Sequence, residues 1–305
     1  MLDALTLDQI RTFVAVAGSG SFRAGASHLS RAQSGVSTAV ANLEAQLGLL
    51  LFDRSGHRPK LTPQGEAILA DARDILLRVD AMRARARGFG EDVELDLSIA
   101  VDTLFPVTVA GLAIAAMRRL HPSVTIRLSV EPLGGPLQAL IEKRATLAIM
   151  VGEDFRDPRV VFEALAPVHQ VAVVAPGHPL ATLGSERQVE VSDIANHLQI
   201  VLADPTAQSQ GRDFGVISPQ TCRVNTQDAK HALIVTGVGW GRLPLWRVRE
   251  DLESGRLVRL ATKSLGRRSQ LESESYLARR LDEPFGPAAR SFVNALNLLV
   301  ADRRA

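Results

Sequence analysis

The sequence predicts an α/β protein with a winged helix-turn-helix at its N-terminus, a long connecting helix, and two α/β lobes. Three observations predict this. Residues 21–54 carry two short helical patterns and end in L-L-L-F-D-R, after which a turn returns through Lys60-Leu61 as a β-wing. From Ile68 to Phe89, apolar residues recur at steps of four and three without a break. Beyond residue 95, short β-branched runs alternate with helical patterns, the order that builds a parallel sheet.

The first helix is expected from about Leu7 to Ala17, with Leu7, Ile10, Phe13, Val14 and Ala17 as its buried stripe. Gly18-Ser19-Gly20 stops it, and Ser21 is an N-cap for the second helix. There Phe22, Ala26 and Leu29 face inward. Ala24 and Gly25 allow close helix approach, although Gly25 gives up about 1 kcal/mol of helix propensity with no evident return.

In the third helix Val36, Val40, Leu43 and Leu47 fall on one face. The opposite face presents Gln33, Ser34, Ser37, Thr38 and Asn42, short polar groups suited to base edges and phosphates. An apolar back and a hydrogen-bonding front, held by a preceding helix, suit a DNA major groove. Such a polar stripe can also be an ordinary solvated face. Arg54, His57, Arg58 and Lys60 cluster in the wing, where phosphates would lie.

Thr62 caps the fourth helix and Pro63 takes its first position, where a missing N–H costs nothing. Ile68, Ala72, Ile75, Val79, Met82, Ala86 and Phe89 make three heptads, the seam of a coiled coil, and Leu69 and Leu76 widen it. A helix of about 42 Å from Thr62 to Phe89 is expected to find a second copy of itself, making the chain a homodimer or homotetramer. The alternative is packing on its own N-terminal domain. Gly88, Gly90, Glu91 and Asp92 mark a boundary. The expected domains are 1–61, the linker helix 62–90, and 91–305.

In the last domain strands are expected at 95–101, 124–130 and 147–151, with helices at 106–120 and 136–143. The apolar run Val160–Ala175 leaves this unit. A second set has strands near 198–202, 221–224 and 257–260 and helices near 226–236 and 244–253. A strand at 273–278 and a helix from about Pro287 to Val300 return. Lobe I is therefore about 91–165 with 270–305, and lobe II about 166–269. Two lobes joined by two crossings enclose a cleft of the kind that binds small molecules.

Composition narrows the classes. The 305 residues are 46% hydrophobic and 22% charged, those of a globular chain. No signal-peptide pattern opens the chain and no apolar run approaches about 18 residues, so no membrane partner is expected. The single cysteine, Cys222, excludes an intramolecular disulfide and is read as a small buried apolar residue. Together these point to the cytoplasm. Residues 1–90 carry a net +3 and residues 91–305 a net −1, too small an excess to argue for nucleic acid by itself. There is no G-x-S-x-G, H-E-x-x-H or P-loop, and the histidines lack metal spacing; neither an enzyme, a cofactor nor a metal is expected. G-V-G-W-G at 237–241 is a helix stop and turn, without nucleotide-loop spacing.

The candidate ligand residues are loop residues. Asp102, Thr103 and Leu104 follow the first strand and precede a helix, where hydroxyls and helix N–H groups bind anions. Thr226 and Gln227 take a matching place in lobe II; ordinary capping is the competing reading. Leu133-Gly134 and Asp204-Pro205-Thr206 are expected to flank the cleft. Thr103 and Thr226 are expected to face one another across it and to hold a small anion, a carboxylate rather than a sugar or nucleotide. Arg242 and Arg247 would suit a carboxylate if they reached it.

With these residues in place, the chain resembles the LysR-type transcriptional regulators over essentially its full length. The resemblance rests on Ser21-Phe22, Leu29, Gln33-Ser34, Val36-Ser37, Leu43-Glu44, Leu47-Gly48, Leu51-Phe52, Arg54, Leu61-Thr62 and Gly65. The remaining two-thirds is similar in pattern to the family's effector-binding part, with the architecture of periplasmic binding proteins. The resemblance implies dimers or pairs of dimers on partly palindromic promoter DNA, an effector in the cleft, RNA polymerase as a further partner, and Arg54 at a phosphate. It departs at Ala32, where the family has Ser or Thr as helix cap; Ser30 and Gln33 have capping-box spacing, so the cap is expected to have moved to Ser30. A solute-binding receptor with no DNA role is the alternative for residues 91–305 alone.

Overall fold

A computed structural model describes residues 5–55, 59–88, 94–209, 211–262 and 269–301, without the side chains of residues 81 and 84–88. The expected contacts of His57, Arg58, Ala86 and Phe89 therefore lie outside what is described. The chain divides into two compact units, 1–87 and 88–305.

The first unit contains α1 (Leu7–Ser19), α2 (Phe22–His28), α3 (Gln33–Leu47), the wing strands β1 (Phe52–Asp53) and β2 (Lys60–Leu61), and α4 (Pro63–Gly88). Thr6 and Gln9 form a capping box at α1, and Ser21 Oγ accepts the Ala24 N–H at α2. Phe13, Val16, Val36, Val40 and Leu51 are fully buried in its core. Gly25 has a packing reason that sequence propensity did not show. A Cβ there would lie 2.9 Å from Val16 Cγ2 and 3.0 Å from Val16 Cα, so only glycine lets α2 lie this close to α1. Gly65 is similarly constrained, since a Cβ would lie 2.1 Å from the Leu51 carbonyl oxygen at the root of the wing.

The linker helix is partly claimed by this core. Leu69 and Ala72 are buried in it, and Ile68 and Leu76 pack against it. The expected coiled-coil role is thus corrected for Ala72, whose methyl is committed within its own unit, and narrowed for Ile68. Ile75 and Met82 remain exposed, at 39% and 64%, with Val79 half-buried between them.

The second unit contains β3 (Asp96–Asp102), α5 (Val107–Leu120), β4 (Thr125–Glu131), α6 (Gly135–Ile141), β5 (Leu147–Val151) and β6 (Val160–Val174). It continues through α7 (Pro179–Glu186), α8 (Val191–Ala195), β7 (Gln199–Leu202), β8 (Thr221–Val224), α9 (Gln227–Val235), β9 (Gly241–Pro244), α10 (Leu245–Glu253), β10 (Val258–Arg259), β11 (Gln270–Arg280) and α11 (Pro287–Ala301). β4, β3 and β5 are parallel neighbours, and β11 closes the sheet antiparallel between β5 and β6. The run from Val160 is one 15-residue strand shared by both lobes, because its far half pairs with β9 and β10 of lobe II. Long antiparallel strands β6 and β11 are therefore the two crossings. In lobe II, β7 and β8 pair in parallel, and the Ile200 N–H donates to the Trp240 carbonyl beside β9. Helices α7 and α8 and strand β9 lack the periodicity that would have shown them.

Candidate nucleic-acid interface and ligand cavity

On α3 the buried face consists of Val36, Val40, Leu43 and Glu44, which leaves Gln33, Ser34, Thr38 and Asn42 exposed and Ser37 half-buried. Thr38 Oγ1 donates to the Ser34 carbonyl at 3.0 Å, so that hydroxyl keeps only acceptor capacity. The helix begins at Gln33 with Ala32 at the N-cap and no side-chain cap. The expected relocation of the cap to Ser30 is wrong. Ser30 lies in the left-handed region at φ 54°, forming the turn between α2 and α3, and there it cannot supply a capping-box oxygen.

Glu44 was not singled out in the sequence, yet it organises the wing. It is 7% exposed, and its Oε1 accepts the N–H groups of Leu51 at 2.8 Å and Phe52 at 3.1 Å. Arg54 Nη2 donates to Glu44 Oε2 at 2.8 Å, and its guanidinium sits 4.9 Å from the Phe22 ring centroid. Arg54 is therefore a structural partner of a buried carboxylate, not of neighbouring Asp53. Half its side chain remains exposed, enough to meet a phosphate as well. Lys60 is exposed on β2.

In the second unit a cavity of about 220 Å³ lies between the lobes. That is below the ~300–1,000 Å³ of drug-sized sites, so it suits a small ligand. Of the nine residues expected there, Asp102, Leu104, Leu133 and Gln227 line it. Thr103 stands beside it with its hydroxyl buried and unpartnered among the described residues. Thr226 is corrected: it is exposed, and its Oγ1 accepts the Ala229 N–H at 3.1 Å as the N-cap of α9. Its hydroxyl oxygen serves the helix as a cap, and Thr226 is not among the residues lining the cavity.

Gly134, Asp204 and Thr206 meet one another instead of lining the cavity. A Cβ at Gly134 would lie 2.5 Å from Gln208 Cβ, 2.6 Å from Thr206 Oγ1 and 3.0 Å from Asp204 Oδ2. The Asp204 carboxylate holds the Thr206 N–H and hydroxyl, and Gln208 Nε2 donates to Gln138 Oε1 at 2.7 Å from one lobe to the other. With Trp246 Nε1 donating to the Leu104 carbonyl at 2.8 Å, these contacts bridge the two lobes.

The cations at the cavity were missed by sequence reasoning, as Lys230 was, or left unplaced, as Arg242 was. Lys230 is 7% exposed; burial, and next the Arg242 charge, push its ammonium down to about 7. Burial also lowers Arg242, whose guanidinium packs over Gly215, where any side chain would overlap it. Both amide atoms of Gln227 are buried without partners among the described residues. On the opposite wall Asp102 is 3% exposed and pushed up to about 7 by burial, against the opposing pull of N–H groups from Leu104 and Val151. Gln227 and Lys230 are three apart on α9, a spacing that does place them on one helix face. Nothing in the sequence marks that face as inward.

Comparisons with known proteins agree with this architecture. Residues 7–66 match the model of the bacterial regulatory helix-turn-helix protein, lysR family, and residues 91–298 match the LysR substrate binding domain. The HTH-type transcriptional regulator YeeY of Escherichia coli K12 is 32% identical over 257 residues, covering 83% of this chain and 82% of that protein. The regulator CbbR of Cereibacter sphaeroides is 28% identical over 305 residues, covering 94% and 93%. A full-length OxyR variant of Pseudomonas aeruginosa shares the fold with a TM-score of 0.52 at 18% identity, over 98% of this chain and 97% of that one.

Proposed function

Because the chain belongs to the LysR family of DNA-binding transcriptional regulators with an effector-binding domain, we propose that it reads promoter DNA with the exposed face of α3 and responds to a small anion in the cavity between its lobes. The observation that carries the first half is the backing of Gln33, Ser34, Ser37 and Asn42 by a fully buried apolar stripe, with the wing pinned beside them through Glu44. The effector half rests on buried Lys230 and half-buried Arg242, which form no ion pair among the described residues, and on Gln227, whose amide atoms have no hydrogen-bond partner among them; all three line one cavity. A carboxylate would balance the two cations and accept from Gln227 Nε2. The assignment gives the protein a cytoplasmic place beside its DNA, with RNA polymerase as the partner through which occupancy alters transcription.

Retardation assays on the promoter fragment test the readout. Gln33→Ala is expected to weaken specific binding by about 1–3 kcal/mol, roughly 5- to 150-fold, while leaving binding to random DNA nearly unchanged. Equal losses on both would make Gln33 a positioning group. Arg54→Ala should weaken both and flatten the salt dependence by about one phosphate contact.

Dimerisation is proposed through the free half of α4. Ile75, Val79 and Met82 follow a 4–3 step on a helix whose Ile68, Leu69, Ala72 and Leu76 are occupied by the core of their own unit. The double variant Ile75→Asp, Val79→Asp would bring carboxylates together in the seam. Light scattering should then show a lower mass at a fixed concentration. An unchanged mass would place the interface elsewhere.

A further inference from the structure

The two walls of the cavity carry opposite charges, and each lacks a counter-ion among the described residues. Lys230 and Arg242 come from α9 and β9 in lobe II, Asp102 ends β3 in lobe I, and exposed Asp154 adds a second carboxylate to the lining. No ion pair joins Asp102 to either cation among the described residues, and its hydrogen bonds come from the backbone N–H groups of Leu104 and Val151. A carboxylate offers about four lone-pair directions, so acceptor capacity remains after those two bonds.

A purely anionic ligand would compensate Lys230 and Arg242 but would add a like charge to the space that Asp102 faces. A purely cationic ligand would do the reverse. Burying a charge without a partner costs several kcal/mol, so the occupant that relieves both walls carries both signs. We propose that the effector is a small amino carboxylate whose carboxylate lies on Lys230, Arg242 and Gln227 and whose ammonium lies on Asp102. This deepens the reading of the cavity as the anion-binding effector site and rests on it. The size agrees: a cavity of about 220 Å³, below the range of drug-sized sites, admits a small ligand. A hydroxyl in place of the ammonium would hydrogen-bond Asp102 but leave its buried charge unbalanced, which favours the ammonium.

The test uses the full-length protein and thermal shift with calorimetric titration against individual α-, β- and γ-amino acids. Each is paired with the carboxylic acid lacking its amino group and with the corresponding hydroxy acid. At least one amino acid should bind, and at least tenfold more tightly than both of its paired analogues. Asp102→Asn should erase that preference while leaving carboxylate affinity within a few-fold. Lys230→Met should weaken amino acid and carboxylate alike. Carboxylates or hydroxy acids that bind as well as amino acids would overturn the ammonium assignment and leave the anion site standing. If none of the three classes raises the melting temperature, both the ammonium assignment and the anion site are wrong. Retention of preference by Asp102→Asn would likewise overturn the pairing.

Discussion

Glu44→Ala is expected to destabilise the N-terminal unit by about 1–3 kcal/mol for each of the two buried N–H donors it leaves without an acceptor. One carboxylate accepts the N–H groups of Leu51 and Phe52 and the Arg54 guanidinium, so its loss strands two buried donors and frees a half-exposed cation. The wing root also depends on them, because the Leu51 carbonyl accepts the Thr62 N–H that leads into α4. Denaturant unfolding of the full-length chain should show the first unit melting well before the second, with DNA retardation lost in parallel. Glu44→Gln keeps the shape and one acceptor and should retain part of the stability. Arg54→Ala should cost less, since the carboxylate keeps both backbone donors. An unfolding midpoint for Glu44→Ala equal to that of the parent protein would refute the wing-pinning role.

Lys230→Met should have the opposite effect on stability: the ligand-free protein becomes more stable while its effector response is lost. Burial moves the ammonium from its ordinary 10.5 down to about 7. Below pH 7 both folded and unfolded chains hold the proton, and the folded chain bears the full burial cost, on the order of 5 kcal/mol. Between pH 7 and 10.5 the unfolded chain still binds a proton that the folded chain has released, so stability rises with pH. The melting temperature of Lys230→Met should therefore exceed that of the parent protein most at pH 6–7, with the gap closing toward pH 10. Asp102 predicts a mirrored limb. Its folded carboxyl titrates at about 7 against an ordinary 3.8, so the parent protein loses stability as pH rises from 4 to 7 and Asp102→Asn does not. A gap between Lys230→Met and the parent protein that stays constant across pH would show that the ammonium is solvated, and would remove it from the cavity.

Much of the DNA-binding unit was legible because its determinants are local. A helical period separates Val36, Val40 and Leu43 from Gln33, Ser34 and Asn42 within one 15-residue helix, whatever surrounds it. A close helix approach at Gly25 was legible, but the need for glycine itself was not, since the Val16 backbone that a Cβ would meet belongs to another helix. Likewise the heptad of α4 is real as a pattern, but only the packed unit shows that Ala72 serves its own core while Ile75 and Met82 stay free.

The ligand cavity marks the division most clearly. Sequence by itself determined the winged helix-turn-helix, the long helix, the alternation of strands and helices, and the loops from which Asp102, Leu104, Leu133 and Gln227 reach the cavity. Those are consequences of periodicity and turn chemistry, which act over a few residues. It could not separate Thr226 as a cap from Thr226 as a ligand, because both roles call for a hydroxyl just before a helix. Only the tertiary structure decided that Lys230 and Arg242 lie at the same cavity as Asp102, which is more than a hundred residues away in the chain. Burial and electrostatic compensation depend on distance through space, and here the long strands β6 and β11 carry the chain between lobes and set that distance.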